Sequence, residues 1–314
     1  MHKKIGIVGI GMVGDPLRKY LELNGFTRGV DLFCYDADKM KGYEDDVSHA
    51  EIIFICVPTP ARDDGGCDTG IVESVVAQYA SPDRTFVIKS TVEPGTSGRL
   101  AQKYKTNILF NPEFLTEANA WDDMIHPDRH IIGHGAHNSD AVFHILSILP
   151  RPSIDLSAHA INTTEAEIGK YSANVFGSMK VTFANIIADV CDMIALSLQK
   201  EGVSEHRVDY EMVRRIVGGD KRIGDYWLVV NHGNYRGFGG YCFPKDTAAF
   251  TSVAKKAYQC LPENDPRRDI SGKGIRFLEA MWEYNKALLA SQGLTVSDVS
   301  SHDADLVKKL SDHT

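Results

Sequence analysis

The sequence predicts an α/β chain: a doubly wound, mostly parallel sheet, then an all-helical second domain reached through one long helix. Three observations point there. Short apolar runs rich in Ile and Val alternate with helical stretches through the first half, glycines crowd the end of the first run, and a long proline-free stretch opens the second half. The expected boundaries are 1–160 for the sheet domain, 161–292 for the helical domain and 293–314 for a charged tail.

Strands are expected at 5–10, 32–35, 52–57, 86–89, 108–110 and 131–132, because runs this short, bounded by Gly, Pro or Asp, read as buried parallel strands. Between them, 16–24, 71–79, 96–104 and 139–149 carry helical patterns. The first strand runs into Gly9-Ile10-Gly11-Met12-Val13-Gly14. A lone GxGxxG carries little weight, since a structural glycine turn reads the same way. Here it follows a strand, opens a helix, and has Asp36 at the end of the second strand, the context of a Rossmann-type dinucleotide site. Gly9 permits the tight turn, Gly11 lets backbone approach a pyrophosphate, and Gly14 allows close helix–strand packing. The helix N-terminus then offers free N–H groups and a positive dipole end to the diphosphate. Asp36 would accept from a ribose 2′-hydroxyl and repel a 2′-phosphate, which favours NAD over NADP; Lys41 lies near enough to oppose that preference.

Three later strands end in polar rims: Val57-Pro58-Thr59-Pro60, Lys89-Ser90-Thr91-Val92 and Asn111-Pro112-Glu113-Phe114-Leu115. Carboxyl ends of strands are where ligands sit in such sheets, so the three together mark a binding crevice.

From 163 to 200 there is no proline and there are two glycines, Gly169 and Gly177, with a capping-box pattern at Thr164-Glu165-Ala166-Glu167. A helix of this length spans roughly 55 Å, longer than a small domain is wide, so it is expected to cross between domains and meet a second subunit. Ile168, Val175, Met179, Phe183, Ile186, Val190 and Ile194 form its apolar stripe, read as core packing. Lys170 and Asn174, four apart, point the same way. Downstream, Gly237-Phe238-Gly239-Gly240-Tyr241-Cys242-Phe243-Pro244-Lys245-Asp246 leads into a helix expected over 247–258, with a last helix over 274–291. Pro244 suits the first position of a helix, which places Cys242 at or just before its N-terminus with a lysine three residues on. Both features favour thiolate, the nucleophilic form. Asp246 is within reach of the same site.

A net charge of −8 excludes a broad nucleic-acid or anionic-membrane surface. No unbroken apolar run approaches the roughly 20 residues of a membrane span, so no membrane is expected. Six cysteines without a CxxC or metal-ligand spacing read as buried thiols of a reducing compartment, Cys242 excepted, and the expected location is cytoplasmic.

Taken together, GIGMVG, VPTP, KSTV, NPEFL, Pro127-Asp128-Arg129, KYSAN, DKRIG and GFGGYCFPKD, in this order over about residues 3 to 292, resemble the UDP-glucose/GDP-mannose dehydrogenase family. The resemblance implies a four-electron oxidation of a nucleotide-sugar primary alcohol with two NAD, UDP-glucose to UDP-glucuronate first among the options. Cys242 would form a thiohemiacetal and then a thioester. Lys170 and Asn174 would stabilise the oxyanion, Asp246 would position or deprotonate a water with Lys170, and Glu113 and Thr91 would handle the hydrolytic water. The cofactor is further expected on Met12, Val13, Lys41, Val57, Pro58, Thr59, Ser90, Thr91, Glu117 and Lys245. Substrate contacts are expected from Glu113, Phe114, Leu115, Lys170, Asn174, Tyr235, Gly239 and Arg222, the last reaching across a homodimer. No metal is implied. Two departures accompany the resemblance. The family's usual third, Rossmann-like domain has no counterpart here, and the segment 225–236 is longer than usual, with Tyr226, Trp227, His232 and Tyr235 available as a different wall.

Two rivals stay open. A two-electron hydroxyacid dehydrogenase would share the sheet, the long helix and a Lys–Asn pair but would need no thiol at Cys242. A non-catalytic NAD-binding partner subunit would need none of the retained polar residues.

Overall fold

The computed structural model describes residues 3–135, 139–153, 161–203, 208–232 and 234–300. The chain divides into two compact units, Met1–Tyr171 and Ser172–Thr314.

In the first unit, β1 (Ile5–Val8), β2 (Leu32–Tyr35), β3 (Ile52–Ile55), β4 (Thr85–Ile88) and β5 (Asn107–Phe110) form one parallel sheet in the order β2-β1-β3-β4-β5. The helices are α1 (Gly14–Leu23), α2 (Gly70–Tyr79), α3 (Thr96–Tyr104), α4 (Ala120–Ile125) and α5 (Ser139–Ile148). Side chains alternate along each strand and so build two cores. Ile5, Ile7, Leu32, Phe54, Val87 and Leu109 pack on one face with Leu17, Leu21, Met124 and Ile145. Val8, Phe33, Ile53, Ile55, Phe86 and Ile108 pack on the other with Val72, Val76 and Leu100. Each such side chain, buried on folding, contributes about 1.5–3 kcal/mol. The strand order reverses between β1 and β3, and the glycine loop leaves β1 at that switch point, where doubly wound sheets bind ligands.

The sixth expected strand does not form. Residues 131–132 make no ladder, and the neighbouring Gly133 makes a single antiparallel bridge to Phe110. The run is too short to pair beyond one residue before the chain turns away.

The long helix α6 (Thr163–Lys200) runs as expected, starting in the first unit and continuing in the second. The second unit adds α7 (Tyr210–Gly218), a two-stranded hairpin of β6 (Asn231–His232) and β7 (Tyr235–Arg236), then α8 (Phe243–Gln259), α9 (Arg268–Ala290) and α10 (Val296–Val299). The expected tail therefore begins with structure: Thr295 and Asp298 close a capping box, and Val299 is fully buried beside Tyr235 and Leu289. Residues 303–314 lie outside the described residues.

The stripe expected to be core on α6 is corrected. Ile168, Phe183, Ile186 and Ile194 are exposed. Inward stand Val175, Val181, Ala184, Ala188 and Cys191, with the polar Ser178, Thr182 and Asn185. Small side chains let neighbouring elements approach the helix closely, and the hydroxyl and amide groups are satisfied by Asn174, Ser178 and Val181 carbonyls one turn back. α6 is long and apolar enough to cross a bilayer by length and composition, although polar residues interrupt it at every turn from Asn174 to Asn185.

Candidate active site

Around the glycine loop of the first unit, Gly9 has φ +92°, and a Cβ on Gly14 would lie 1.9 Å from the Gly9 carbonyl oxygen. A Cβ on Gly11 would meet nothing within 4 Å. The turn is therefore closed against the helix and open outward. Val13, the residue before α1, gives the helix no side-chain cap, while the Asp15 amide is bonded to the Gly11 carbonyl at 2.9 Å. Those features fit the diphosphate of a dinucleotide. Asp36 is nearly buried. Its Oδ2 accepts from the Ile10 amide at 2.7 Å and from Lys41 Nζ at 3.0 Å, while Oδ1 accepts from the Asp38 amide. Burial raises this carboxyl, but the two amides and the Lys41 ammonium more than offset it and hold it below its ordinary value. Lys41 thus sits beside Asp36 as the sequence suggested, tied also to the Ile10 carbonyl.

On the rims, Thr59 donates to the Thr91 carbonyl at 2.8 Å, and the Ser90 hydroxyl donates to the Val57 carbonyl at 2.7 Å. Both hydroxyls join strand ends to each other. Pro58 is exposed beside them. The side chain of Glu117 lies outside the described residues.

Deeper in the same unit, Lys170 and Glu113 are both buried. Lys170 Nζ donates to the Glu113 carbonyl at 2.6 Å and to Oε1 at 3.2 Å, and Glu113 Oε2 accepts from the Leu115 amide at 2.7 Å. An ammonium has three donors, so one remains after these two bonds. Phe114 packs under both the Lys170 ammonium and the Arg129 guanidinium, at 5.0 and 4.1 Å from its ring centre. Glu113, Phe114 and Arg129 line a cleft together with Lys89 and His130. Lys89, given no role from sequence, is buried and donates to Asn111 Oδ1 at 2.8 Å; burial pushes its ammonium below the ordinary value. Burial likewise pushes His130 down to about 4. Both stood in quoted motifs or beside one; nothing in a single sequence distinguishes such buried cations from surface ones.

In the second unit, Cys242 immediately precedes α8 and is partly exposed; Phe243 is the first helical residue and Pro244 the second. Asp246, one turn on, is fully buried. Asn174 Nδ2 donates to its Oδ2 at 2.6 Å and Lys245 Nζ to its Oδ1 at 2.5 Å. Lys245 is thus engaged by a carboxylate. Asn174 has a second N–H left for another acceptor. Arg222 is 89% exposed at its side chain and pairs with Asp220. Tyr235 is buried against Leu289 and Val299, with its hydroxyl 2.1 Å from where a Cβ on Gly239 would stand. Trp227 adopts a left-handed φ of +65° and meets Phe243 edge-on at 5.5 Å.

Of the cysteines expected to be buried, Cys34, Cys67 and Cys191 are, and burial pushes Cys34 up to about 12; Cys56 is partly exposed, and Cys260, at the end of α8, is exposed, a correction to the expectation. Among the described residues no three His, Cys, Asp or Glu side chains gather closely enough to hold a metal ion.

Residues 38–147 match the UDP-glucose/GDP-mannose dehydrogenase family, NAD binding domain, and residues 164–262 match the central domain of the same family. A UDP-glucose 6-dehydrogenase from Rickettsia bellii is 34% identical over 226 residues, covering 69% of this chain and 48% of its own length. One from Pseudomonas aeruginosa is 32% identical over 269 residues, covering 80% and 54%. The chain spans about half the length of these curated relatives. Among solved structures, a UDP-glucose dehydrogenase from Pyrobaculum islandicum superposes with a TM-score of 0.69 at 25% identity, over 90% of this chain and 68% of that one. A UDP-D-ManNAc dehydrogenase from Pyrococcus horikoshii, at 18% identity and a TM-score of 0.67, shares the fold. Through both matched regions, the chain belongs to the UDP-glucose/GDP-mannose dehydrogenase family, of which it carries the NAD-binding and central domains.

Proposed function

We propose that the protein oxidises a primary alcohol of a nucleotide sugar to the carboxylate with Cys242 as covalent nucleophile, UDP-glucose to UDP-glucuronate being the first substrate to test. The observation that carries this reading is the arrangement at the start of α8. A partly exposed thiol stands at a helix N-terminus, and one turn on a buried carboxylate is held by Asn174 and Lys245.

Bound NAD supplies the hydride acceptor for both oxidations, held by the Gly9–Gly14 loop and by Asp36. After the first, the Cys242 thiolate adds to the aldehyde carbon, forming a C–S bond and an oxyanion. Lys170 and Asn174, each with an N–H beyond the bonds described above, would donate to that charge, as the family resemblance implies. Loss of the second hydride leaves a thioester on Cys242. Water then adds to the acyl carbon, the sulfur departs as thiolate, and the carboxylate is released. Glu113 and Thr91 orient this water, and Asp246 receives its proton. Splitting a hard oxidation into covalent steps is the general benefit of such a nucleophile.

A homodimer completes the reading. The large apolar side chains that α6 turns outward, Phe176, Phe183, Ile186, Met193 and Ile194, suit burial against a second copy.

Counting NADH against sugar consumed tests the mechanism. Two per substrate are expected, with no acid formed by Cys242→Ser although that variant still binds NAD. One NADH per substrate would replace this reading with a two-electron dehydrogenase. NAD binding without reduction across UDP-glucose, GDP-mannose and UDP-N-acetylhexosamines would favour a non-catalytic subunit.

A further inference from the structure

The segment that delivers Cys242 is rich in glycine, yet its backbone is anchored at alternate residues. Arg236 is held by Gln292: its amide donates to Oε1 at 2.8 Å, and Nε2 donates to its carbonyl at 3.0 Å. Phe238 is held by Asn285 in the same two-way manner. The Phe238 amide donates to Oδ1 at 2.8 Å, and Nδ2 donates to the Phe238 carbonyl at 3.0 Å. Gly240 donates to the Val299 carbonyl at 2.7 Å. A pair of side-chain amides on and just after α9 therefore does for this segment what a neighbouring β-strand would do. The fit at Asn285 is tight. The residue is 1% exposed, and a Cβ on Gly237, whose φ is +107°, would lie 2.7 Å from its Oδ1.

We propose that Asn285 is a positioning residue for Cys242: by engaging both backbone groups of Phe238 it holds the loop 237–241 in the one conformation that presents the thiol at the start of α8. The proposal rests on the reading of Cys242 as nucleophile. Its physical basis is the freedom of Gly237, Gly239 and Gly240, which without an anchor sample conformations closed to other residues. A misplacement of about 1 Å at a reacting group can cost on the order of a hundredfold in rate. Asparagine suits the position because it offers a donor and an acceptor together. Aspartate keeps the acceptor for the Phe238 amide and sets a charge against the Phe238 carbonyl; alanine removes both bonds.

The test uses the full chain and measures alkylation of individual cysteines by iodoacetamide, peptide by peptide, across pH. Cys260 is exposed at the far end of α8 and serves as internal reference. NAD affinity reports that the first unit is folded, and protection of the buried Cys191 reports that the second is. In Asn285→Ala the Cys242 rate at neutral pH is expected to fall by on the order of tenfold, with its pH midpoint displaced upward, because a thiolate loses its fixed place at the helix N-terminus. Cys260 and NAD affinity should stay at their original values, and kcat for acid formation should fall more than the KM for NAD rises. Asn285→Asp, close in volume, should move Cys242 in the same direction and keeps the test open should the alanine variant not fold. A folded variant whose Cys242 profile superimposes on the original overturns the proposal alone. An original protein whose Cys242 reacts no faster than Cys260 overturns both the proposal and the nucleophile reading beneath it.

Discussion

Removing one buried carboxylate measures how firmly the long helix is rooted in the sheet unit. Glu167 on α6 has no solvent exposure, and it accepts from the Gly95 amide at 2.5 Å and the Ser97 amide at 2.8 Å. Gly95 supplies no side-chain cap to α3, so Glu167 acts as an N-cap provided from a distant helix. Glu167→Ala leaves the buried Ser97 amide and the part-buried Gly95 amide without this acceptor. At about 1–3 kcal/mol for each orphaned group, the cost is about 2–6 kcal/mol, with about 3 kcal/mol as the central value once water partly fills the space. For a unit the size of Met1–Tyr171, about 3 kcal/mol lowers the Tm by roughly 6–12 °C. Glu167→Gln keeps a carbonyl acceptor and should cost less, and the comparison carries a pH signature. Burial raises the Glu167 carboxyl above its ordinary value of 4.5, against the opposing pull of Ser97 and Gly95. A group whose pKa is raised by folding adds stability that is fully present below the unfolded value and is lost as pH climbs through the folded one. Glutamine does not titrate. The advantage of the original protein over Glu167→Gln should therefore shrink as pH climbs from the ordinary carboxylate range upward. Calorimetric melting of the three proteins across that range reads both effects. An alanine variant within about 0.5 kcal/mol of the original, or an advantage that widens with pH, would refute the capping argument.

Asp36→Ala removes the negative charge beside Lys41 and leaves that ammonium free to meet a 2′-phosphate. The ratio of NAD to NADP affinity should drop by about tenfold or more, the worth of one charge-assisted hydrogen bond, and a titration in which the ratio holds steady would remove Asp36 from the ribose role. Phe183→Glu introduces a charge where an apolar side chain is half exposed on α6. Sedimentation should show the proposed dimer dissociating while the Tm of the chain changes by little; an unaltered sedimentation coefficient would take this face out of the assembly.

Where local chemistry decides a structure, the sequence was readable to the residue. The bounds of β2, α3 and α6 fall at the positions expected, because glycines, a proline-free stretch and apolar periodicity all act within a few residues. α7 was open to the same reasoning: Asp209 caps it by accepting from Glu211, and Met212, Val213, Ile216 and Val217 follow at helical spacing. The outward turn of Phe183 and Ile186 was not open to it. Periodicity identifies an apolar stripe but cannot tell a face packed within a chain from one awaiting a partner, and here small residues took the inner side. Contacts distant in sequence were hidden for a related reason. Glu167 with Ser97, Lys170 with Glu113, and Asn285 with Phe238 are each more than 40 residues apart, and no pattern in one chain links them.

The pairing of Lys245 changes the electrostatic account of Cys242. Read from spacing alone, a lysine three residues after the thiol is a cation available to stabilise thiolate. In the folded unit its ammonium lies 2.5 Å from Asp246 Oδ1, and the two formal charges cancel at any distance much larger than their separation. The sulfur also stands at the start of α8, whose aligned peptides act as roughly half a positive charge confined to the first turn. That field is short in range and directional, so it favours a thiolate held at the helix axis far more than one displaced by a few ångströms. The carboxylate also fixes Asn174, whose remaining N–H is a donor set by geometry. A site that works through dipoles and oriented amides depends on backbone placement in a way that a mobile lysine would not. Two-way anchoring of the preceding residues by Gln292 and Asn285 answers that dependence.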